Sequence, residues 1–335
     1  MRAHGVTNSE IINSLLKCSA ITCLLTPACC SIAAGFPSHP LRLIVPYAPG
    51  GNADIMARLI AQRLGENVGQ QIVVDNRPGA SGIIGTELTV KAAPDGYTVV
   101  LVASSLATNP SLFRQMPYDT LRDLAPVTMV GSTPLILAAY PGLPAAGVRD
   151  LIALARAKPG QLNYASSGNG SPANFAGALF TIMAGIRLVH VTYKGTAQAM
   201  TDVLGGHVQL SFPSLTAALP HVKSGKLKAL GMTGLQRSPL APDVPTVSES
   251  AIPGYQANIW NGVLVPAATP KAVVTKLNAE FVRVLTSPET RERFAAAGAD
   301  IVHGTPEEFA AFVKTEMTKW ADVVRESGMR AELER

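Results

Sequence analysis

Beyond residue 30 the chain has no cysteine: Cys18, Cys23, Cys29 and Cys30 are its full complement of four. If that first stretch is removed, disulfides, thiolate metal sites and cysteine nucleophiles are all excluded. No segment offers the roughly 20 uninterrupted apolar residues that a membrane-spanning helix needs. With 28 Lys and Arg against 23 Asp and Glu, the charge balance is only mildly basic, and no run of Lys or Arg suggests a nucleic-acid face. Also missing are a P-loop, a His-Glu-x-x-His pair and a Gly-x-Ser-x-Gly elbow. Carboxylates are isolated, as at Asp202, Asp243 and Glu249, so nothing pairs them for acid-base work. Internal repeats and low-complexity tracts are absent too.

The first residues carry a different message. Arg2 and Lys17 precede an apolar stretch from Cys18 to Cys30, and the small residues Ser31 and Ala33 follow at signal-peptidase spacing. We read residues 1–34 as a signal peptide, so the mature protein is expected to be exported and soluble. A buried N-terminal helix fits these flanks less well. The residues before Cys23 and Cys29 make a poor lipobox. The roughly 300 residues that remain exceed what one core usually holds, which predicts two domains.

Short β-branched runs alternate with helical segments, the pattern of an α/β chain with largely parallel sheets. Strands are expected at "LRLIVP", "QQIVVD", "YTVVLV", "APVTMV", "PLILAA", "LNYAS", "RLVHV", "VQLSF", "LKALGM" and "NGVLVP". "GVRDLIALARAKPG" reads as a helix with Val148, Leu151, Ile152 and Ala155 on its apolar face, ending at Lys158 to Gly160. In the segment from Thr305 to Val324, Thr305 is the expected N-cap, Pro306 the first helical residue and Glu308 the partner in a capping box. Phe309, Phe312, Val313, Met317, Trp320 and Val324 form its buried stripe, which makes Trp320 core rather than a ligand platform. Proline clusters at "STPLIL" and "APDVPTVSESAIPGYQ" mark places where the chain can cross between domains.

Three strand-to-helix junctions stand out. "PYAPGGNAD" runs from Pro46 to Asp54 and puts Gly50 and Gly51 just before a helix. A helix N-terminus has unpartnered amides and a partial positive charge, so such a turn can hold an anion. Taken alone, a simple connecting turn is the plainer reading, with Asn52 and Asp54 capping it. "NYASSGNGSPANFAG" repeats the arrangement with Ser166, Gly168, Asn169, Gly170 and Ser171, and "VTYKGTAQAM" does so with Gly195 and with Thr196 as N-cap. Lys194 reads equally well as a solvated loop charge or an attractor for acids. Ser104 and Ser105 follow another strand, at the carboxyl end where α/β sheets place ligands. Such junctions in different halves of the chain suggest a ligand held between two domains by amides and hydroxyls.

Gly168-x-Gly170-x-x-Ala173 also mimics a dinucleotide fingerprint. That motif needs an acid about 20 positions on, and Asn174 to Thr201 contains no Asp or Glu. His190 sits in an apolar strand pattern and reads as a satisfied core residue. His207 and His221 belong at turn or helix surfaces.

Together, "VPYAPGGNAD", "VVDNRPGASGIIGTELTVKAAPDGYTVVL", "LNYASSGNGSPANFAG", "VTYKGTAQAMTDVLGGHVQLSF", "SGKLKALGMTG" and "PDVPTVSES" with "PGY" span nearly all of the mature chain. In these landmarks the chain resembles the substrate-binding proteins of tripartite tricarboxylate transporters, the Bug family of periplasmic receptors. The resemblance implies a two-domain type II periplasmic-binding-protein fold with a ligand cleft at the hinge. Domain 1 is expected to be discontinuous, residues 35–132 and 258–335, with domain 2 over 133–257.

It further implies a small organic carboxylate as ligand and delivery to a two-subunit membrane permease, with no cofactor, no metal, no nucleic acid and no catalysis, by a monomer. The expected ligand contacts are Tyr47, Gly50, Gly51, Asn52, Ala53, Asp54, Ser104, Ser166, Gly168, Ser171, Gly195, Thr196 and Ser214, with Asp54 capping the helix before anything else. Family members commonly carry a histidine and a glutamate where this chain has Asn174 and Ala178, and Phe-Asp where it has Phe212, Pro213 and Ser214. Losing an acid near the cleft favours a plain organic acid over an amino acid. A periplasmic sensor signalling to a membrane kinase would need the same fold; an exported α/β enzyme is the more distant alternative.

Overall fold

The computed structural model describes residues 35–329. The expected signal peptide, with all four cysteines, lies outside the described residues. The chain opens with β1 (Leu41–Val45), α1 (Asn52–Val68), β2 (Ile72–Asn76), a 3₁₀ turn (Ala80–Gly82), α2 (Ile83–Val90), β3 (Thr98–Ala103), α3 (Ser105–Leu112), α4 (Thr120–Asp123) and β4 (Leu124–Thr133). A second run holds β5 (Ile136–Ala139), α5 (Val148–Ala157), β6 (Asn163–Ser166), α6 (Pro172–Ala184), β7 (Val189–Thr192), α7 (Thr196–Leu204), β8 (Leu210–Ser211), α8 (Leu215–Lys223), β9 (Lys228–Met232) and α9 (Val247–Ser250). The last run is β10 (Ile259–Pro266), α10 (Lys271–Thr286), α11 (Pro288–Ala296), β11 (Asp300–Ile301) and α12 (Pro306–Ser327).

These strands make two sheets, ordered β11-β4-β10-β3-β1-β2 and β7-β6-β8-β5-β9. Each sheet with its helices is a lobe. All ten strands expected from the sequence are present, but the sheets are mixed rather than largely parallel. β1 pairs in parallel with β2 and β3, and β6 with β7 and β8. β10 is antiparallel to both β3 and β4, and β5 to both β8 and β9. The cause is the route of the chain: β10 enters the first sheet from the second lobe, so no helical crossover forces it parallel.

Strand β3 reads as an almost continuous apolar run because helices cover both faces of the sheet, whereas β1 breaks its run at Arg42, which pairs with Asp75. In β5, Leu137 and Ala139 join one core while Ile136 and Ala138 join a second on the opposite face, the two-residue period of a strand. The larger core continues across both lobes, from Ile44 and Val100 to Leu137, Tyr164 and Trp320. From Pro37 onward the chain is one compact unit. Helix α5 buries Val148, Leu151, Ile152 and Ala155 as its spacing predicts, and α12 opens with the full Thr305–Glu308 capping box. No helix among the described residues is long and apolar enough to cross a membrane.

Helix α12 braces both lobes, packing on α3 and on α6. Its buried face includes a residue the apolar stripe hides: Glu316 accepts from Trp260 Nε1 at 3.0 Å and from Trp320 Nε1 at 2.9 Å. Lys319 pairs with the other carboxylate oxygen and lies over the Trp320 ring at 4.4 Å.

The chain passes between sheets twice, through Pro134 after β4 and through residues 233–258 before β10. Thr233 ties the two passages together. Its Oγ1 accepts from Leu135 N–H at 2.8 Å, and its hydroxyl proton is shared between Leu135 O and Asn258 Oδ1, both at 3.1 Å. Asn258 Nδ2 then donates to Ser132 Oγ at 3.1 Å.

Candidate functional site

The β1–α1 turn is built by its own side chains. Gly50 has φ +79°, a conformation in which a side chain is strained. Asp54, only 3% exposed, accepts from Gly50 N–H at 2.8 Å, Asn76 Nδ2 at 2.9 Å and Arg58 Nε at 3.0 Å. Burial pushes this carboxyl up, yet Arg58, the Gly50 amide and Asn76 together outweigh burial and hold it below its ordinary value. Asp54 therefore fixes the turn as expected, though it does so by reaching back to Gly50. The N-cap residue is Gly51, with no side-chain cap. Asn52 donates to Thr133 Oγ1 at 3.2 Å, at the first passage between lobes, while its Oδ1 is buried without a hydrogen-bond partner.

Tyr47 links this turn to the next strand end. Its Oη accepts from Ala103 N–H at 2.8 Å and lies 2.7 Å from Ser105 Oγ. Beside it, Gly79, Ala80, Ser81 and Gly82 form an unbroken run of positive φ, and Ser81 O accepts from Asn109 Nδ2 at 3.1 Å. Residues held this way are costly and persist only where the surroundings over-determine them.

In the serine-glycine turn, Ser171 is the N-cap of α6, accepting from Asn174 N–H at 3.3 Å. Ser166 is buried, and its hydroxyl is engaged by His190 Nε2 at 2.6 Å and by Gly168. His190 is satisfied through both ring nitrogens, as the sequence reading has it, but it is not core: it is half-buried and lines a cavity. The third turn joins the second through Tyr193 N–H, which donates to Ser166 O at 3.0 Å. Tyr193 Oη donates to Asp202 at 2.6 Å; burial and that carboxylate push the phenol up to about 12. Here Gly195, not Thr196, is the N-cap, because the helical backbone of α7 already includes Thr196, whose side chain is exposed.

A small cavity of about 40 Å³ lies where the lobes meet. From the first lobe come Ser104, Ser105, Thr108 and Trp320; from the second come Gly170, Pro172 and Phe175; Ala257 and Asn258 belong to the second passage. Its lining has no titratable side chain. Of the thirteen expected contacts only Ser104 lines it. Tyr47 touches its lining through Ser105, whereas Gly50, Gly51, Asn52, Ala53, Asp54, Ser166, Gly168, Ser171, Gly195, Thr196 and Ser214 do not line it; Ser214 is the N-cap of α8 without a side-chain capping bond. Trp320 is 3% exposed, core as expected, yet it also lines the cavity, so the two roles are not exclusive.

Sequence reasoning missed Thr108, Asn258 and Thr233, which carry no motif and acquire meaning only where the passages run side by side. A larger cavity, about 960 Å³, borders the same turn through Gly170, Asn174 and His190. We place the candidate site at the smaller one, because strand carboxyl ends from both sheets converge there.

The family model for the tripartite tricarboxylate transporter family receptor matches residues 56–329. Protein BugT of Bordetella pertussis is 40% identical over 297 residues, covering 88% of this chain and 91% of that protein. An R. palustris protein solved with adipate superposes with TM-score 0.75 at 34% identity, over 88% of this chain and 99% of that one. MatC from Rhodopseudomonas palustris, solved with bound malate, gives TM-score 0.71 at 30% identity, over 86% and 100%. With a family model over most of its length and relatives this similar, the chain belongs to the tripartite tricarboxylate transporter receptors, a family of periplasmic solute-binding proteins.

Proposed function

We propose that this protein binds a small organic carboxylate between its lobes in the periplasm and delivers it to a two-subunit membrane permease driven by an ion gradient. The observation that carries this reading is the interlobe cavity: strand-to-helix turns from two sheets converge on it, and its lining offers hydroxyls and amides with no activated nucleophile, base or metal ligand. Such a lining suits binding an anion and leaves it chemically untouched.

A cavity of about 40 Å³ holds a few waters, well below the roughly 300 Å³ at which ligand pockets begin, so the ligand enters only when the lobes part. The lobes correspond to residues 35–132 with 258–335, and 133–257, after removal of a signal peptide over 1–34. Hinge closure then brings the turns at Tyr47 and Gly50–Asp54, Ser104, Ser166–Ser171, Gly195–Thr196 and Ser214 around the acid. The unpartnered Asn52 Oδ1 suits a ligand hydroxyl or a bridging water.

Two solved relatives hold the dicarboxylates adipate and malate, which supports a dicarboxylate here. In this chain Asn174 is buried and turned toward Gly170, and Phe212 and Pro213 are buried, so neither position brings an acid to the cleft. That favours a plain organic acid over an amino acid. The test is a thermal-shift screen of protein refolded to strip any bound ligand, against dicarboxylates, tricarboxylates, amino acids and sugars. A ligand at about 100 times its dissociation constant adds about 2.7 kcal/mol. A rise with one class of organic acid supports the reading; a rise with sugars or amino acids alone overturns the ligand class.

A further inference from the structure

The serine-glycine turn is supported from behind by a gapless chain of hydrogen bonds. Gly170 N–H donates to Asn174 Oδ1 at 3.1 Å. Asn174 Nδ2 donates to Tyr164 Oη at 3.1 Å and faces His190 Nδ1 at 3.2 Å. His190 Nε2 lies 2.6 Å from Ser166 Oγ, which donates to Gly168 O at 3.0 Å and accepts from Gly168 N–H at 3.2 Å.

One proton arrangement satisfies every member. Because Asn174 Oδ1 is committed to the Gly170 amide, its NH₂ group faces the ring, so His190 Nδ1 must be bare and the ring proton sits on Nε2. From there it donates to Ser166, whose own proton goes to Gly168 O. Asn174 is 1% exposed and cannot exchange these partners for water.

The ring is nonetheless within reach of solvent protons, since it lines the cavity of about 960 Å³ that borders the turn. Tyr164 of β6, stacked at 4.9 Å, and Asn174 of α6 touch the ring; Arg187 before β7 and Glu326 at the end of α12 are the charged groups lining the same cavity. Burial holds His190 down at about 4, so the neutral arrangement persists at neutral pH. A proton arriving at Nδ1 would set N–H against the Asn174 amide hydrogens. Relief requires that amide to flip, and the flip breaks its bond to Gly170.

We propose that His190 and Asn174 are positioning residues for the serine-glycine turn: the neutral pair fixes the turn that presents Ser171 and the start of α6, and protonation of His190 Nδ1 releases it. The consequence for binding rests on the receptor reading of this turn; the positioning itself does not. It makes ligand affinity fall in acid by a local route, distinct from unfolding.

The experiment is selective ¹⁵N-glycine labelling of the ligand-free mature protein, with amide spectra between about pH 3 and about pH 7 alongside the His190 ring resonances. Gly168 and Gly170 amides are expected to shift together with the His190 midpoint, and His190→Gln to lose that step. Asn174→Asp keeps an acceptor for Gly170 and offers its second carboxylate oxygen to the Nδ1 proton, so the ring midpoint should rise while the glycine step is lost, because no flip is needed. This variant also decides the matter if His190→Gln folds poorly. Wild-type glycine amides that stay still while His190 titrates, or a glycine step that survives in His190→Gln or in Asn174→Asp, overturn the proposal.

Adipate serves as the binding probe. Its affinity should drop about tenfold across the His190 midpoint, the loss of one buried hydrogen bond, and should lack that step in His190→Gln. If the glycines follow His190 while adipate affinity does not, positioning stands and the receptor reading of this turn fails.

Discussion

Phe175 of α6 meets Trp320 of α12 edge to face, with ring centroids 5.0 Å apart. The two rings belong to different lobes, and both line the interlobe cavity. Since Trp260 and Trp320 are the only two tryptophans in the chain and both donate to Glu316, the intrinsic fluorescence comes from a single cluster at the lobe boundary. Ligand binding is expected to shift the emission of the native protein, and Trp320→Phe to abolish most of that shift while Trp260 still emits. A shift of full size in the variant would place the ligand elsewhere.

Stability should respond to pH through His190. Its ring is held at about 4 when folded, against an ordinary value of about 6.5, so between those values the unfolded chain binds more protons. Stability from this group is therefore complete above pH 6.5, falls as pH drops through that window and levels off below pH 4. After allowance for solvent screening of a half-buried ring, the loss should be about 2 kcal/mol. Urea titrations of wild type and His190→Gln across this range check it, because the difference between the two curves isolates the ring.

Gly82→Ala should be costly in two ways. Gly82 has φ +92°, and a Cβ there would sit 3.2 Å from Tyr47 Oη. Backbone strain alone is worth about 1–2 kcal/mol. Displacing Tyr47 also breaks its contact with Ser105, so adipate binding should weaken along with the melting temperature.

Thr233→Val removes the hydroxyl that joins the two passages while keeping the side-chain shape. Leu135 N–H then loses its acceptor and Asn258 Oδ1 a donor, which should cost about 1–3 kcal/mol. The hinge should also loosen. Small-angle scattering of the ligand-free variant should show a larger radius of gyration than wild type.

The alternation of β-branched runs with helical segments made ten strands legible, even β8, of which only Leu210 and Ser211 pair. β11 was not, since Asp300 and Ile301 pair only with Ser132 and Gly131 at a sheet edge and carry no pattern of their own. Strand direction was misread for β10: a run of buried residues looks the same whichever way it enters the sheet. Glu316 escaped notice because an apolar stripe reads polar positions as solvent-facing, and only the fold brings two indole N–H groups to it. Asn174 and His190 are separated by a helix and a turn, so their partnership is a property of β6, α6 and β7 packed together. The glycine turns were readable from chemistry alone; which of their polar groups are already engaged internally was not.

The uncharged lining of the interlobe cavity has a consequence for ionic strength. An anion held by lysine or arginine is weakened as salt shields the pair, whereas one held by oriented amide and hydroxyl dipoles in a closed space has no mobile counter-charge to compete for. If the proposed site is the one used, capture would select by the direction of hydrogen bonds, and its affinity should change little between dilute and briny surroundings.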